Sequence, residues 1–392
     1  MASSRRSGRA DVARPASATA SGDVGPAGAS VACAAVDAAL ARTLRDFPAR
    51  SILVVGYSGG RDSTGLLDAL ARLRPPGRLV AWHVHHGLQS QADDWLASCQ
   101  RLAARLGVEE EWILGACGIR ERRWLAEGES AASLAEVAAR AALGAAGLAP
   151  EDLRAIVVGT GSAPRVFPGL SADVQRLLGA PGIPAFDVPL ASVGGLFALA
   201  LAADLCPRTG PVLAAGAEEM SRVLLRAPLE KETAILFGDG AGACVVAPGD
   251  GPLAVVDVRL WSDGTFSGAL SLGPDGPLVL DGRTVILQAS RKLPSAIRSV
   301  LEPQGLGPSD VDLYVLHQAN LNLLKAVARS LGVGEERLFV NVERLGNTSA
   351  ASVLVALSEA AAAGLLRPGS RVVVAAFGAG FSWGAALLRV AA

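Results

Sequence analysis

Two stretches, AFDVPLASVGG at residues 185–195 and FVNVERLGNTSAASV at residues 339–353, carry the same pattern twice. Each runs an apolar segment into a polar residue at a turn, Ser192 in one and Asn347 in the other, and then into a helix of small residues. The repeat extends outward from both. Upstream, Gly147-Leu148-Ala149-Pro150, Asp152 and an apolar strand at 155–159 match Gly305-Leu306-Gly307-Pro308, Asp310 and a strand at 313–316. Downstream, 212–216 followed by Phe237-Gly238-Asp239-Gly240 matches 372–376 followed by Phe377-Gly378-Ala379-Gly380. Two halves with one order of elements predict a duplicated α/β fold, its sheets layered between helices. The two polar turns then meet at the seam between halves, where sites usually lie.

The chain is long enough for two or three domains: 392 residues, 51% hydrophobic, with 45 glycines that suit close packing of strands and small-residue helices. A net charge of −1 gives no electrostatic reason to expect nucleic acid or a membrane as partner. No apolar run reads as a membrane span. The cysteines, five in number and with no C-x-x-C pair, read as reduced thiols of a cytoplasmic protein, and no metal site is expected. Residues 1–30 are rich in Ser, Ala, Gly and Arg without periodicity, and read as a disordered leader.

His317, in LHQAN at residues 316–320, ends an apolar strand and is the only histidine outside the group His83, His85 and His86. With Ser192 and Asn347 at symmetry-related turns, it completes a set suited to acyl transfer. A nucleophile at a helix N-terminus lies near the positive end of the dipole and near unpaired N–H groups that stabilise an oxyanion. An imidazole can take the hydroxyl proton or donate to a thioester carbonyl. A carboxamide adds a neutral donor beside an enolate.

These segments, with EEWILGACGIRERR (110–123), ILFGDGAGACVV (235–246) and FGAGFSWGAALL (377–388), resemble the beta-ketoacyl-acyl carrier protein synthase III branch of the thiolase-fold condensing enzymes. The resemblance covers about seven-tenths of the chain, residues 109–392. It implies a thiolase-like α-β-α-β-α fold and a homodimer. The substrate would be an acyl thioester of coenzyme A or of an acyl carrier protein, with no cofactor for the transfer itself. It implies His317 and Asn347 as catalytic residues, Trp112 and Arg120 at the mouth of a phosphopantetheine tunnel, and Asn320 lining it. Phe167 would lie at the dimer-facing end of the acyl pocket, and the Ala379 N–H would join that of Ser192 as oxyanion donors. Three departures stand out. Ser192 occupies the place of the family's nucleophilic cysteine; Lys231 and Asn322 stand where arginines are common; and the family's first strand and helix are missing.

In their place lies a different signal. SILVVGY at 51–57 leads into SGGRDS at 58–63, a helical pattern at 63–73 and a strand at 79–84, which together read as one βαβ unit. The helical patterns at 31–44 and 93–106 flank it. The glycines Gly59 and Gly60 would let backbone N–H groups wrap a pyrophosphate, with Ser58 and Ser63 as donors and Asp62 as Mg²⁺ ligand, so ATP with Mg²⁺ is the implied ligand. With AWHVHHGLQSQADDW at 81–95, the segment 51–108 resembles the start of tRNA(Ile)-lysidine synthetases, which are PP-loop enzymes. The expected organisation is a leader at 1–30, a partial PP-loop unit at 31–108, and thiolase-like halves at 109–250 and 251–392. A serine acyltransferase is the leading reading; an ATP-dependent RNA-modifying ligase and a non-catalytic partner of another condensing enzyme are the alternatives.

Overall fold

A computed structural model describes residues 117–225, 235–273 and 276–392, two strands at 52–56 and 78–82, and a few isolated positions. The chain divides into two compact units, Met1–Glu109 and Glu110–Ala392.

In the first unit, β1 (Ile52–Gly56) and β2 (Arg78–Trp82) pair in parallel, with Ile52 opposite Arg78. Parallel neighbours need a crossover between them, and Leu66, Ala69, Leu70, Ala71 and Leu73 are helical within it. The expected βαβ unit is therefore present. The loop residues Ser58, Gly59, Gly60, Asp62 and Ser63 lie outside the described residues, as does the helix expected at 93–106.

The second unit carries the duplication. Helix α1 (Ala131–Ala146) starts at a capping box between Ser130 and Ser133 and stops at Gly147, whose φ of 66° closes its C-terminus. A 3₁₀ turn follows, then β3 (Ala155–Gly159), α2 (Leu170–Leu178), β4 (Ala185–Val188), α3 (Gly194–Thr209), β5 (Val212–Glu218), α4 (Met220–Leu224) and β6 (Gly240–Val246). The second half opens with β7 (Leu253–Ser262) and a small hairpin, β8 (Leu270–Leu272) and β9 (Leu278–Leu280). It continues through α5 (Gly282–Leu301), β10 (Leu313–Leu316), α6 (Leu321–Leu331), α7 (Val342–Leu345), α8 (Ser352–Ala362), β11 (Arg371–Gly378) and β12 (Ser382–Val390).

Two four-stranded sheets result, ordered β4-β3-β5-β6 and β10-β11-β12-β7. In each, a parallel pair (β3–β5, β10–β11) is followed by an antiparallel one (β5–β6, β11–β12). The repeat is visible down to single atoms. Ala149 N–H donates to Asp152 Oδ2 at 2.8 Å and Gly307 N–H to Asp310 Oδ2 at 2.7 Å, just ahead of β3 and β10. One expected strand is reduced: the counterpart of β4 is a single bridge between Tyr314 and Leu338.

The core explains the layering. Strands β3, β5 and β10 are buried at every position, as required where helices cover both faces of a sheet. Helices α1 and α2 cover one face of the first sheet, with Ala135, Ala139, Leu143 and Val174 on Ile156, Val158 and Leu213. On the other face, Ala198, Ala202 and Cys206 of α3 meet Val157, Val212 and Ala214. The start of α3 (Val193, Leu196) and α8 (Val353, Leu354, Leu357) share a second cluster with Val372, Val374, Ala386 and Leu388 of the second sheet. Helices α3 and α8 are thus the shared middle layer, and α5 covers the outer face of the second sheet. The turns that begin α3 and α8 face each other across the seam.

Candidate active site

Ser192 lies between β4 and α3, 6% exposed. Its φ is 70°, a left-handed conformation that costs a side-chain-bearing residue free energy. The Val193 N–H closes on Ala191 O at 2.8 Å, so Ser192 is the centre of a three-residue turn of the rarer hand. Surrounding contacts hold it there. Its N–H donates to Ser349 Oγ at 2.9 Å. Gly378, at the end of β11, lies against the same turn: a Cβ there would sit 2.1 Å from Ala191 O and 3.0 Å from Ser192 Cβ.

Asn347 precedes α8, also buried. Its backbone is tied to the FGDG segment, with N–H donating to Leu236 O at 2.8 Å and C=O accepting from Gly238 N–H at 3.0 Å. Its Oδ1 accepts the Ser349 N–H at 2.9 Å. A backbone N–H can only donate, so this bond fixes which end of the carboxamide is oxygen and leaves the NH₂ as its donor end.

His317 leaves the end of β10 with its N–H on Ala375 O at 2.8 Å. Gln318 anchors the next residue: its N–H meets Ser352 Oγ at 2.7 Å, its side-chain oxygen accepts from Asn341 and Val342, and its Nε2 donates to Leu316 O and Phe339 O. The imidazole is 5% exposed, and its Nδ1 is buried with no hydrogen-bond partner. Burial without a compensating charge pushes its pKa down to about 4, so the ring is neutral near pH 7 and able to accept a proton.

The structure therefore gathers the three residues at one end of the two sheets. Ser192 and Asn347 are each bonded to Ser349, and the His317 loop is pinned to the first turn of α8 by Ser352. Two features of the site bear on its chemistry. The imidazole makes no hydrogen bond to the Ser192 hydroxyl. The expected oxyanion donors are both engaged within the protein, Ser192 N–H by Ser349 Oγ and Ala379 N–H by Ala191 O at 3.3 Å.

Of the other expected residues, Trp112 and Lys231 lie outside the described residues. Arg120 is exposed beside Glu343, 3.8 Å away, and Phe167 is 83% exposed. Asn320 caps α6, its Oδ1 accepting from the N–H groups of Asn322 and Leu323. Asn322 Nδ2 donates to Gly115 O at 2.9 Å. The sequence reading missed Glu218, although a carboxylate ending a wholly buried strand is a signal in itself.

Comparison with known proteins places this fold in a family. The 3-oxoacyl-[acyl-carrier-protein] synthase III model matches residues 186–264, and the model of that family's C-terminal part matches 301–390. Beta-ketoacyl-[acyl-carrier-protein] synthase III of Desulfotalea psychrophila is 39% identical over 299 residues, covering 72% of this chain and 91% of the relative. The chain belongs to the beta-ketoacyl-[acyl-carrier-protein] synthase III family. It is accordingly a condensing acyltransferase with the thiolase-like fold. The synthase III of Nitratidesulfovibrio vulgaris is 40% identical over 297 residues, covering 71% of this chain and 89% of the relative. The solved synthase III of Aquifex aeolicus superposes with a TM-score of 0.69 at 36% identity, covering 72% of this chain and 92% of that one. The priming beta-ketosynthase of the R1128 polyketide pathway superposes at 0.67 with 34% identity, covering 73% and 89%. Ahead of the synthase region, a PP-loop domain model matches residues 34–140, overrunning the division between compact units after Glu109. Among the described residues no helix is long and apolar enough to cross a membrane.

Proposed function

We propose that this chain primes fatty-acid or polyketide synthesis by taking an acyl group from a thioester onto Ser192. The observation that carries this reading is the turn itself: a hydroxyl held at φ 70° where the chain's two halves meet. The Ser192 Oγ attacks the thioester carbonyl, forming the O–C bond, while the hydroxyl proton passes to neutral His317. Collapse of the tetrahedral intermediate breaks the C–S bond, and the imidazolium returns the proton to the departing thiolate. Burial disfavours the imidazolium, so that return is downhill. The Asn347 NH₂, the donor end of the carboxamide, assists at the carbonyl of the second thioester. Of the backbone donors, Ala379 N–H is the easier to recruit, because its internal bond is the longer.

Arg120 and Trp112 are assigned to the entrance for a coenzyme A or carrier-protein arm, Asn320 to its wall, and Phe167 to the dimer-facing end of the acyl pocket. The protein acts as a cytoplasmic homodimer, with domain limits at 31–108, 109–250 and 251–392. Incubation with a radiolabelled acyl thioester should mark Ser192, and Ser192→Ala should abolish the mark. A label on any other residue removes Ser192 as nucleophile.

A second reading is favoured by the PP-loop match and the parallel β1–β2 pair: the first unit binds ATP through Ser58, Gly59, Gly60, Asp62 and Ser63. ATP–pyrophosphate exchange dependent on tRNA, and lost in Asp62→Ala, would establish it. No exchange under any tRNA supply would end it.

A further inference from the structure

Glu218 ends β5 fully buried, and it ties the two halves together. From the first half, its carboxylate accepts the Gly161 N–H at 3.0 Å, the Thr160 hydroxyl at 3.3 Å and the Ser162 hydroxyl. From the second half it accepts the Ala350 N–H at 3.0 Å. Two of these hydroxyls have their proton directed by their own acceptor duty: Thr160 Oγ1 accepts Ser162 N–H and Ser162 Oγ accepts Glu219 N–H. Each therefore turns its one O–H toward the carboxylate, which a group that only accepts can satisfy. Burial raises the Glu218 pKa, and the Ser162 and Ser349 hydroxyls with the Ala350 and Gly161 N–H groups oppose that rise.

The turn Ser349–Ala351, held at Ala350 by Glu218, carries the second left-handed non-glycine residue of the described chain, Ser349 at φ 47°. Ser349 bonds two of the three catalytic candidates: its Oγ accepts the Ser192 N–H and its own N–H donates to Asn347 Oδ1. Two strained serines, one on each half, thus brace each other across the seam. Strain of this kind persists only where the surroundings over-determine it.

We propose that Ser349, anchored through its turn by Glu218, is the positioning residue of the synthase site, fixing at once the Ser192 peptide and the orientation of the Asn347 carboxamide. The proposal rests on the assignment of Ser192 as nucleophile. Its chemistry is geometric: neither Ser349 nor Glu218 touches substrate, and each acts through Ser192 and Asn347.

The test compares the full-length chain with Ser349→Ala, Ser349→Gly and Glu218→Gln, using radiolabelled acetyl-coenzyme A as probe and following acylation rate and thermal midpoint. Ser349→Ala removes the hydroxyl and keeps the strained backbone, whereas Ser349→Gly removes both. Glu218→Gln keeps the shape but places donors where only acceptors fit. The maximal acylation rate should fall on the order of tenfold to a hundredfold in each, with the concentration for half-maximal rate nearly unchanged, as expected for lost alignment rather than lost binding. Because the residues act as a unit, Ser349→Ala combined with Glu218→Gln should be no slower than the slower single variant. Wild-type labelling at Ser192 with unchanged or faster labelling in folded Ser349→Ala overturns the positioning role and leaves the nucleophile in place. Absence of wild-type label at Ser192 overturns both. Should Ser349→Ala not fold, the same rate comparison in Ser349→Gly and Glu218→Gln decides.

Discussion

At the scale of the residue, the difficulty of this site is acidity. A serine hydroxyl is far less acidic than a thiol, and a helix dipole worth about 1 kcal/mol does not close the gap. On the proposed reading His317 is the base for Ser192, and its burial sets when it can act. The ring stays neutral down to about pH 4, so the acidic limb of acylation kcat/KM should fall there and not near the ordinary 6.5. A limb at 6.5 would show a solvated imidazole and remove this environment from the mechanism. The same depressed pKa makes the fold acid-sensitive. Below pH 6.5 the unfolded chain takes up a proton that the folded chain refuses until about 4, so stability is full above 6.5 and declines between those values. The loss is on the order of 3 kcal/mol, and urea midpoints measured across that window should record it, with His317→Gln flattening the slope. The sequence pointed to Ser192 and Asn347 because symmetry-related turns set them apart, and to His317 because it stands alone at the end of an apolar strand. It did not reveal Glu218 or Ser349, since their meaning is a set of bonds between segments far apart in the chain.

Elements, more than single side chains, bring those bonds about. Two small-residue helices, α3 and α8, share the middle layer, and their first turns lie close enough for Ser192 N–H to reach Ser349 Oγ. Alternating apolar runs and small-residue helices made this layering legible, as did the paired Pro-x-Asp turns before β3 and β10. The reduction of β4's counterpart to one bridge was not legible, because Phe339 and its neighbours keep the apolar pattern while the backbone pairs only at Tyr314–Leu338. One close approach between elements is Gly378 against the Ser192 turn. Unlike Ser192, Gly378 has no left-handed φ, so an added methyl meets a purely steric penalty, and the opposing group is backbone that cannot rotate away. Gly378→Ala should cost about 1–3 kcal/mol, lower the melting midpoint by several degrees and slow Ser192 acylation together. Wild-type stability and rate in that variant would mean the turn is free to shift, contrary to its bracing from both halves.

For the molecule as a whole, the question is what covers its apolar surface. Val166 and Phe167 are 84% and 83% exposed, and Phe186, on β4, is 39% exposed. Strand β4 stands at the end of the first sheet, paired with β3 on one side only among the described residues. An open strand edge beside exposed aromatic side chains is a template for association, and a twofold arrangement is the economical way to close it. A second copy can lay its own β4 antiparallel to this one, so that the same patch covers itself and the β4 edge is closed. In such a dimer the short β4 would limit how much the strand pairing contributes, and Phe167 and Phe186 would supply most of the buried area. A charge placed there should therefore act on assembly before it acts on the fold, because neither side chain belongs to the cores on either face of the sheet. Light scattering at micromolar concentration should give twice the chain mass of 39.8 kDa for the wild type and the single-chain mass for Phe186→Arg and for Phe167→Arg, with melting still cooperative. A wild type that scatters as one chain would leave the patch without this partner, and variants that remain paired would move the interface elsewhere on the surface.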